Sequence, residues 1–358
     1  MDQQVSATTR RFGGFDVLRI LAALAVVLSH SYSVTGHPES RLSFSVGHFA
    51  VPLGALGVSI FFVTSGFLVA GSWDRLANVG VFALHRFARI WPAIVVVITI
   101  TVFVMGPLVT SVGLHKYFFS TSTMFYFVRN VVLFGGTVNK LPGVFATHPD
   151  VSVNGSIWTL TYEVWAYAAL VGLGIVGALR RWCTPTLVLV ALLAFLRFGV
   201  YEKIGGLPTT RPILGLTLAD GAKLWSFFFA GVVLSRVVKR VDPTRLIVPG
   251  VAAVSLAFAL GEPTLYIVGL SGCVIGIGSL RGRVTEAVHA LGDPSYGIYI
   301  LAFPIQQLIY GGGIARTPWA MFAVAGAISI VGGYLSWHLL ERPVLAWAKR
   351  RRMALATK

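Results

Sequence analysis

Long apolar runs alternate with short polar breaks along the whole chain. The runs fall at about 15–34, 50–72, 91–110, 155–179, 184–201, 222–238, 245–260, 263–280, 292–311 and 318–341. A helix needs about 20 apolar residues to cross a ~30 Å hydrocarbon core, so most of these runs are long enough to span. The pattern predicts an all-α polytopic membrane protein, with about ten transmembrane helices in one bundle. One further segment, at about 117–136, is ambiguous. It is rich in aromatic and hydroxyl residues and holds Arg129 and Asn130.

Positive charge decides how that segment is read, because Lys and Arg collect on the cytoplasmic side of a membrane. If 117–136 does not cross, both termini share one side. Arg75, Arg86, Arg89, Arg180, Arg181, Arg236, Lys239, Arg240, Arg245, Arg281, Arg283 and the stretch from Lys349 to Lys358 then lie there with Arg10 and Arg11. The other side keeps a sparser set, including Arg41, Lys116, Arg129, Lys140 and Arg316. If the segment does cross, the asymmetry collapses. The reading is therefore both termini cytoplasmic, a multi-pass protein of the plasma (inner) membrane, and a re-entrant or interfacial helix at about 117–136. That helix sits in a long outer loop, 111–154, and loops of that length are seldom idle.

Composition agrees. Of 358 residues, 56% are hydrophobic and 12% charged, about half the charged share of a soluble domain. The net charge of +16 is what basic loops facing anionic headgroups produce; nucleic acid is not the expected partner. Cys183 and Cys273 lie far apart in or beside apolar segments and make no metal or redox spacing. No metal is expected. The first apolar run is long, carries His30 and lacks a clear small-residue cleavage site, so it reads as a retained span. There is no Gly-x-Ser-x-Gly elbow of a serine esterase and no Gly-Lys pair of a phosphate-binding loop.

Ionisable groups deep in a bilayer are expensive and usually functional. Of the 13 acidic residues, Glu163 alone falls well inside a span. His30 is the deepest histidine in the first span. At ~1.5 Å per residue, His30 stands ~22 Å from the inner boundary and Glu163 ~10 Å from the outer one. In a ~30 Å core these heights coincide. A carboxylate at that height would fix the imidazole tautomer and make His30 a general base. The residues alone leave three uses open: catalysis, proton-coupled transport, or a lock between two helices.

The third span opens with LHRFARIWP. Arg86 and Arg89, three apart, share a helix face and suit a phosphate clamp; a plain topology signal needs only their charge. Trp91-Pro92 reads as a helix start at the interface. The second span carries GVSIFFVTSGFLVAG, whose small residues serve close helix packing, or line a narrow channel for a substrate arm.

Together these pieces resemble one family, the acyltransferase-3 family of integral-membrane O-acyltransferases. FDVLRILAALAVVLSH resembles its first helix, with Asp16, Arg19 and His30. GVSIFFVTSGFL is similar to its second helix, and HRFARIWP to its Arg-x-x-Arg motif at Arg86 and Arg89. SIWTLTYEVWAY looks like its Trp-Ser-Leu…Glu…Tyr element, giving Trp158, Glu163 and Tyr167, with Thr159 where Ser is common. SYGIYILAFPIQ resembles a late helix with Tyr296 and Tyr299, and LERPV a closing motif at Glu341 and Arg342. The resemblance covers nearly the whole chain, which lacks the hydrolase-like domain that many relatives append.

The resemblance implies a single acyltransferase domain over 1–345 and a basic cytoplasmic tail over 346–358. It implies transfer of an acyl group, acetyl by default, from cytoplasmic acyl-CoA to a hydroxyl of a sugar, cell-surface glycan or small natural product. His30 is the essential residue, with Glu163 expected to orient it, and Arg86 and Arg89 belong to the donor side. An acyl-His30 intermediate is the alternative within that chemistry. Ser65, Trp158 and Tyr162 are candidates for oxyanion or substrate contacts, with Tyr296 and Tyr299 beside them. A proton-coupled transporter using His30 and Glu163 remains the alternative function.

Overall fold

The computed structural model describes residues 13–47, 49–76, 78–179 and 216–356, with 187, 189, 190 and 193 between them. The expected span 184–201 and Cys183 lie outside the described residues, apart from those isolated positions. What is described is mostly helical. Six helices are long and apolar enough to cross a membrane, or seven if one bent pair counts as a span. The multi-pass helical bundle is as expected; the figure of ten helices is not reached among the described residues.

α1 (Gly14–Val34) ends in a glycine stop. Gly36 takes the left-handed φ of +79°. The Gly36 N–H bonds the Ser33 carbonyl at 3.0 Å, and the His37 N–H reaches Tyr32 at 2.8 Å. This closing motif satisfies the last carbonyls of the helix and turns the chain back on itself. A 3-10 turn at Glu39–Leu42 follows. A small hairpin comes next, β1 (Ser43–Val46) against β2 (Phe49–Pro52), with Ser43 opposite Pro52. The second span, expected from about 50, therefore begins in a strand, and α2 runs Leu53–Leu76.

The third span differs more. α3 (Val79–Ile100) starts twelve residues before Trp91, where Asn78 caps it by accepting from the Val81 N–H at 3.0 Å. Pro92 lies inside the helix rather than in its first turn. A proline there leaves the carbonyl four residues back without its donor, a loss that neighbouring helices in a bundle absorb. The chain runs on through a π-turn, Thr101–Met105, into α4 (Gly106–Val109). Arg86 and Arg89 consequently sit well within a helix, not at its mouth.

α5 (Leu114–Phe118) and α6 (Thr121–Val132) occupy the ambiguous segment. Twelve residues rise only ~18 Å, too short to cross. α6 buries Thr123, Tyr126 and Asn130 and exposes Met124, Phe125, Val128 and Val132. Its apolar face points outward, as an interfacial or re-entrant helix requires. Asn130 ties the following loop by exchanging two hydrogen bonds with the Val138 backbone, at 2.8 and 2.9 Å.

The rest of the bundle is α7 (Trp158–Ile175), α8 (Leu218–Val237), α9 (Ile247–Leu260), α10 (Pro263–Gly278), α11 (Arg283–Leu291), α12 (Ser295–Gly311), α13 (Pro318–Ser336) and α14 (Arg342–Ala356). α10 and α11 are the bent pair, at 86°. α13 does not stop near 341. It passes through a π-turn at Trp337–Glu341 into α14. α1 packs on α2, α12 and α13, α2 on α8, and α3 on α14. The small residues of α2 serve close helix packing, as expected, and two hydroxyl residues among them line a cavity. A Cβ on Gly57 would strike the Ala22 carbonyl of α1, and one on Gly66 the Phe228 backbone of α8. Thr64 and Ser65, between them, face a cavity.

Candidate functional site

That cavity holds about 520 Å³ and is walled by α1, α2, α3, α7, the α11–α12 corner and α14. The balance of charge at its mouth is basic. Arg75 from α2, His85 and Arg86 from α3, His289 from α11 and Arg352 from α14 line it, against Asp16 of α1, which lies 2.6 Å from His289 Nδ1. Inside are Ser65, Glu163, Tyr167, Thr159, Tyr296 and Tyr299, with Phe61. Three buried polar atoms on its walls have no hydrogen-bond partner among the described residues: Thr64 Oγ1, His85 Nε2 and Arg86 Nε. Buried polar atoms are rarely left so, and three around one space suit a polar occupant.

The two arginines of the Arg-x-x-Arg pair are used differently. Arg89 Nη1 donates to Glu341 Oε2 at 2.7 Å and its Nη2 to Asp293 Oδ2 at 2.6 Å. Arg19 pairs with the same Asp293 oxygen. Glu341 is fully buried and also accepts from Ser336 Oγ at 3.0 Å. Its π-turn is the kind of local bulge often found at functional positions. Arg89 is thus a buried brace between α3, α12 and the α13–α14 junction. Arg86 lies over the rings of Phe82 and Tyr167, at 5.8 and 5.7 Å, and among the described residues no carboxylate pairs with it. Asp293 and the bracing role of Glu341 were not legible in the sequence. Asp293 Oδ1 accepts from the Ser295 N–H at 3.2 Å; nothing local announces that Oδ2 holds two arginines.

Asp293 stands in the loop before α12. Burial raises its carboxyl, but Arg19 and Arg89 outweigh that, with help from Ser295, and bring it down to about 2. A carboxylate lowered on folding stabilises fully above its unfolded value, and the gain is lost as pH falls through the folded one. The solubilised protein is therefore expected to keep its Tm down to about pH 4 and lose it steeply below. A Tm that stays flat from pH 5 to pH 2 would contradict the brace.

Glu163 does not meet His30, a correction to the expected pair. Glu163 Oε1 accepts from Ser65 Oγ at 2.8 Å and from the Tyr167 hydroxyl. His30 has a different partner and does not line the cavity. Its Nδ1 lies 3.2 Å from Glu39 Oε1, while Ser29 Oγ donates to Glu39 Oε2 at 2.9 Å. Equal height in the bilayer does not imply contact: each of the two groups takes partners near its own helix. In the sequence Glu39 is one more loop acid. The signal that could have found it is the Gly36 turn, which folds 37–42 back over the end of α1. Burial pushes the Glu39 carboxyl up, but hydrogen bonds and charge from His30, with bonds from Ser29 and Ser33, outweigh this and hold it below its ordinary value. It is a carboxylate, so it can only accept, and His30 Nδ1 carries the proton. In the neutral ring Nε2 then bears the lone pair.

The remaining candidates divide cleanly. Arg86, Arg89, Ser65, Glu163, Tyr296 and Tyr299 line the cavity; His30, Trp158 and Tyr162 do not. Tyr296 donates to the Ile90 carbonyl at 2.9 Å and Tyr299 to the Ser156 carbonyl at 2.7 Å. The Tyr162 hydroxyl accepts from the Thr217 N–H at 2.9 Å. Phe61, Thr159 and Tyr299 line the cavity as well, with the Phe61 and Tyr299 rings edge to face at 5.6 Å. One turn further along α12, Phe303 packs edge-on against His30 at 5.1 Å. Among the described residues no group of three or more His, Cys, Asp or Glu is close enough to hold a metal.

Residues 12–338 match the family profile of the acyltransferase 3 type, described as an acyltransferase domain. Similar proteins cover nearly the full length. Nodulation protein 10 of Rhizobium leguminosarum bv. viciae is 28% identical, over 92% of this chain and 92% of its own. The O-acetyl transferase of Shigella phage Sf6 is 27% identical, over 92% of this chain and 95% of its own. Exopolysaccharide production protein ExoZ of Rhizobium meliloti (strain 1021) is 28% identical, over 91% and 97%. No solved structure matches. With more than nine-tenths of its length under one profile and the cavity built from the motifs of that profile's span, the chain belongs to the acyltransferase-3 family and is a membrane-embedded acyltransferase.

Proposed function

We propose that the protein moves an acyl group, acetyl by default, from acyl-CoA to a hydroxyl of a sugar, cell-surface glycan or small natural product. The observation that carries this is the opposition of two features: a basic-mouthed cavity on one side of Phe61 and Tyr299, and the His30–Glu39 pair on the other. The donor's phosphates meet Arg75, Arg86 and Arg352 at the mouth, and its arm follows the Ser65–Glu163–Tyr167 wall inward, past Phe61, to His30. The basic mouth is cytoplasmic in this reading, as the source of acyl-CoA requires, and both termini lie on that side. An O-acetyl transferase and an exopolysaccharide production protein among the relatives favour a carbohydrate acceptor.

The step needs one proton carrier. The acceptor hydroxyl gives its proton to His30 Nε2 as its oxygen attacks the thioester carbonyl. Glu39 stabilises the imidazolium and keeps its orientation. The C–S bond then breaks, the leaving thiolate takes that proton from His30, and an ester and free thiol result. His30 and Glu163, each held by other partners, lack the direct pairing on which the transport alternative rests.

Membranes containing the protein, given acetyl-CoA labelled in the acetyl group, are expected to gain alkali-labile label in a glycan or small-molecule fraction. Absence of such label with intact protein, across acetyl- and longer acyl-CoAs, contradicts the reading. The split between the two arginines gives a sharper expectation. Arg86→Gln raises the KM for acetyl-CoA about tenfold, the effect of one lost charged hydrogen bond. It leaves the KM for acetyl-pantetheine, which lacks the nucleotide phosphates, unchanged. Equal effects on both donors would remove Arg86 from the phosphate site.

A further inference from the structure

The connection between α6 and α7 carries another histidine, which the transfer step leaves unused. His148 Nδ1 lies 2.7 Å from Gln307 Oε1 on α12. The Gln307 amide cannot be turned over, because its Nε2 donates to the carbonyls of Asp150 and Ser152, both at 2.6 Å, and a carbonyl only accepts. Gln307 Oε1 is therefore the acceptor, and the proton is on His148 Nδ1. In the neutral ring the lone pair is on Nε2, the same tautomer as His30.

His148 lines a second cavity, of about 270 Å³, together with Ser111, Phe145, Thr147, Leu308 and Gly311, and its Cε1–Nε2 edge is turned toward the Gly311 wall. Gly311 keeps the approach open, since a Cβ there would come to 3.3 Å from both His148 Cε1 and Nε2. Phe145 holds a left-handed φ of +53°, uncommon for a bulky residue and found most often where function fixes it. Its ring packs on His148 at 4.8 Å. Among the described residues no Asp, Glu, Lys or Arg lines this cavity. It lies at the same end of the bundle as His30. Ser33 of α1 donates to Asp150 at 2.8 Å, and Gln307 is one turn, ~6 Å of rise, beyond the Phe303 that packs on His30.

We propose that this cavity binds an uncharged polyhydroxyl part of the acyl acceptor, such as a glycosyl unit, with His148 Nε2 accepting a hydrogen bond from one hydroxyl. The Phe145 and Leu308 walls suit the C–H face of a sugar ring, and the absence of charged lining residues disfavours an ionic ligand. The proposal rests on acyl transfer to a hydroxyl, as above, and adds where the acceptor is held.

His148→Asn keeps a donor where Nδ1–H stands, so the tie to Gln307 survives, and removes Nε2. Membranes of wild type, His148→Asn and Gly311→Ala receive labelled acetyl-CoA and graded methyl α-D-glucoside, methyl α-D-galactoside or methyl α-L-rhamnoside. The KM for the glycoside is expected to rise about five- to tenfold in His148→Asn, as for one lost hydrogen bond, and to rise in Gly311→Ala. The KM for acetyl-CoA and kcat stay unchanged. Unaltered glycoside KM in both variants overturns the proposal. A second measurement needs no turnover. Diethyl pyrocarbonate should modify His148 at Nε2 in the wild-type protein, and a glycoside should protect it where acetyl-CoA does not. Failure of all three glycosides to protect also overturns the site. Protection without any acetylation would keep the binding site and contradict the transfer reading instead.

Discussion

Glu39→Gln is expected to lower kcat for acyl transfer about 10²-fold while the protein folds and inserts normally, because general-base assistance contributes 10²- to 10⁴-fold and part of it survives. The amide oxygen can still face His30 Nδ1, so the tautomer is kept. What is lost is the negative charge that stabilises the imidazolium as the hydroxyl proton arrives. His30→Ala removes the base itself and should abolish transfer. Glu163→Gln should behave differently. Its carboxylate is on the cavity wall with Ser65 and Tyr167, so the expected change is chiefly in the KM for acyl-CoA. The measurement is steady-state kinetics on detergent-solubilised protein, with size-exclusion profiles to verify folding. Full kcat in Glu39→Gln beside a lost kcat in Glu163→Gln would return the orienting role to Glu163.

Arg89→Gln is expected to be the most damaging single change to stability. It strands the fully buried Glu341 and weakens the hold on Asp293. Breaking a buried ion pair by removing one partner costs about 3–5 kcal/mol, because the surviving charge stays buried. Arg89→Lys should rescue poorly, since one ammonium cannot reproduce the two-pronged reach to both carboxylates. Arg89→Gln combined with Glu341→Gln should recover part of the loss, as Asp293 keeps Arg19. Thermal unfolding in detergent reads all of these. Arg86→Gln serves as the control and should unfold near the wild-type temperature. An Arg89→Gln protein as stable as wild type, with only acyl-CoA binding lost, would mean that both arginines hold phosphate.

The contrast between these residues marks where the sequence is legible. Apolar length and the distribution of Lys and Arg are properties of single segments, so most spans and the short, non-crossing character of α6 could be read directly. The start of α3 could not. Trp91-Pro92 offers a strong local cue for a helix beginning, and the weaker cap at Asn78 wins because the surrounding helices tolerate Pro92 inside. Depth in the bilayer is a one-dimensional quantity, so it brought His30 and Glu163 to one height but could not say which way each points. The pairings that organise the site join residues far apart in sequence: Arg89 with Asp293 and Glu341, or His148 with Gln307. The His30–Glu39 contact is local, yet it depends on a turn at Gly36 that reads as an ordinary helix end. Ser65 and Arg86 reach the cavity as their motifs suggest. Trp158 and Tyr162 belong to the packing around it, with the Tyr162 backbone carbonyl accepting from Trp225 at 2.9 Å.

The central claim, that acyl-CoA enters through the basic-mouthed cavity and is consumed at His30, is tested most directly by sidedness. Membrane-impermeant acetyl-CoA, labelled in the acetyl group, is supplied to sealed vesicles of both orientations, with wild type beside His30→Ala. Label is expected to enter alkali-labile ester only in inverted wild-type vesicles, where the cytoplasmic face is outermost. Equal incorporation in right-side-out vesicles, or incorporation that survives His30→Ala, would contradict it.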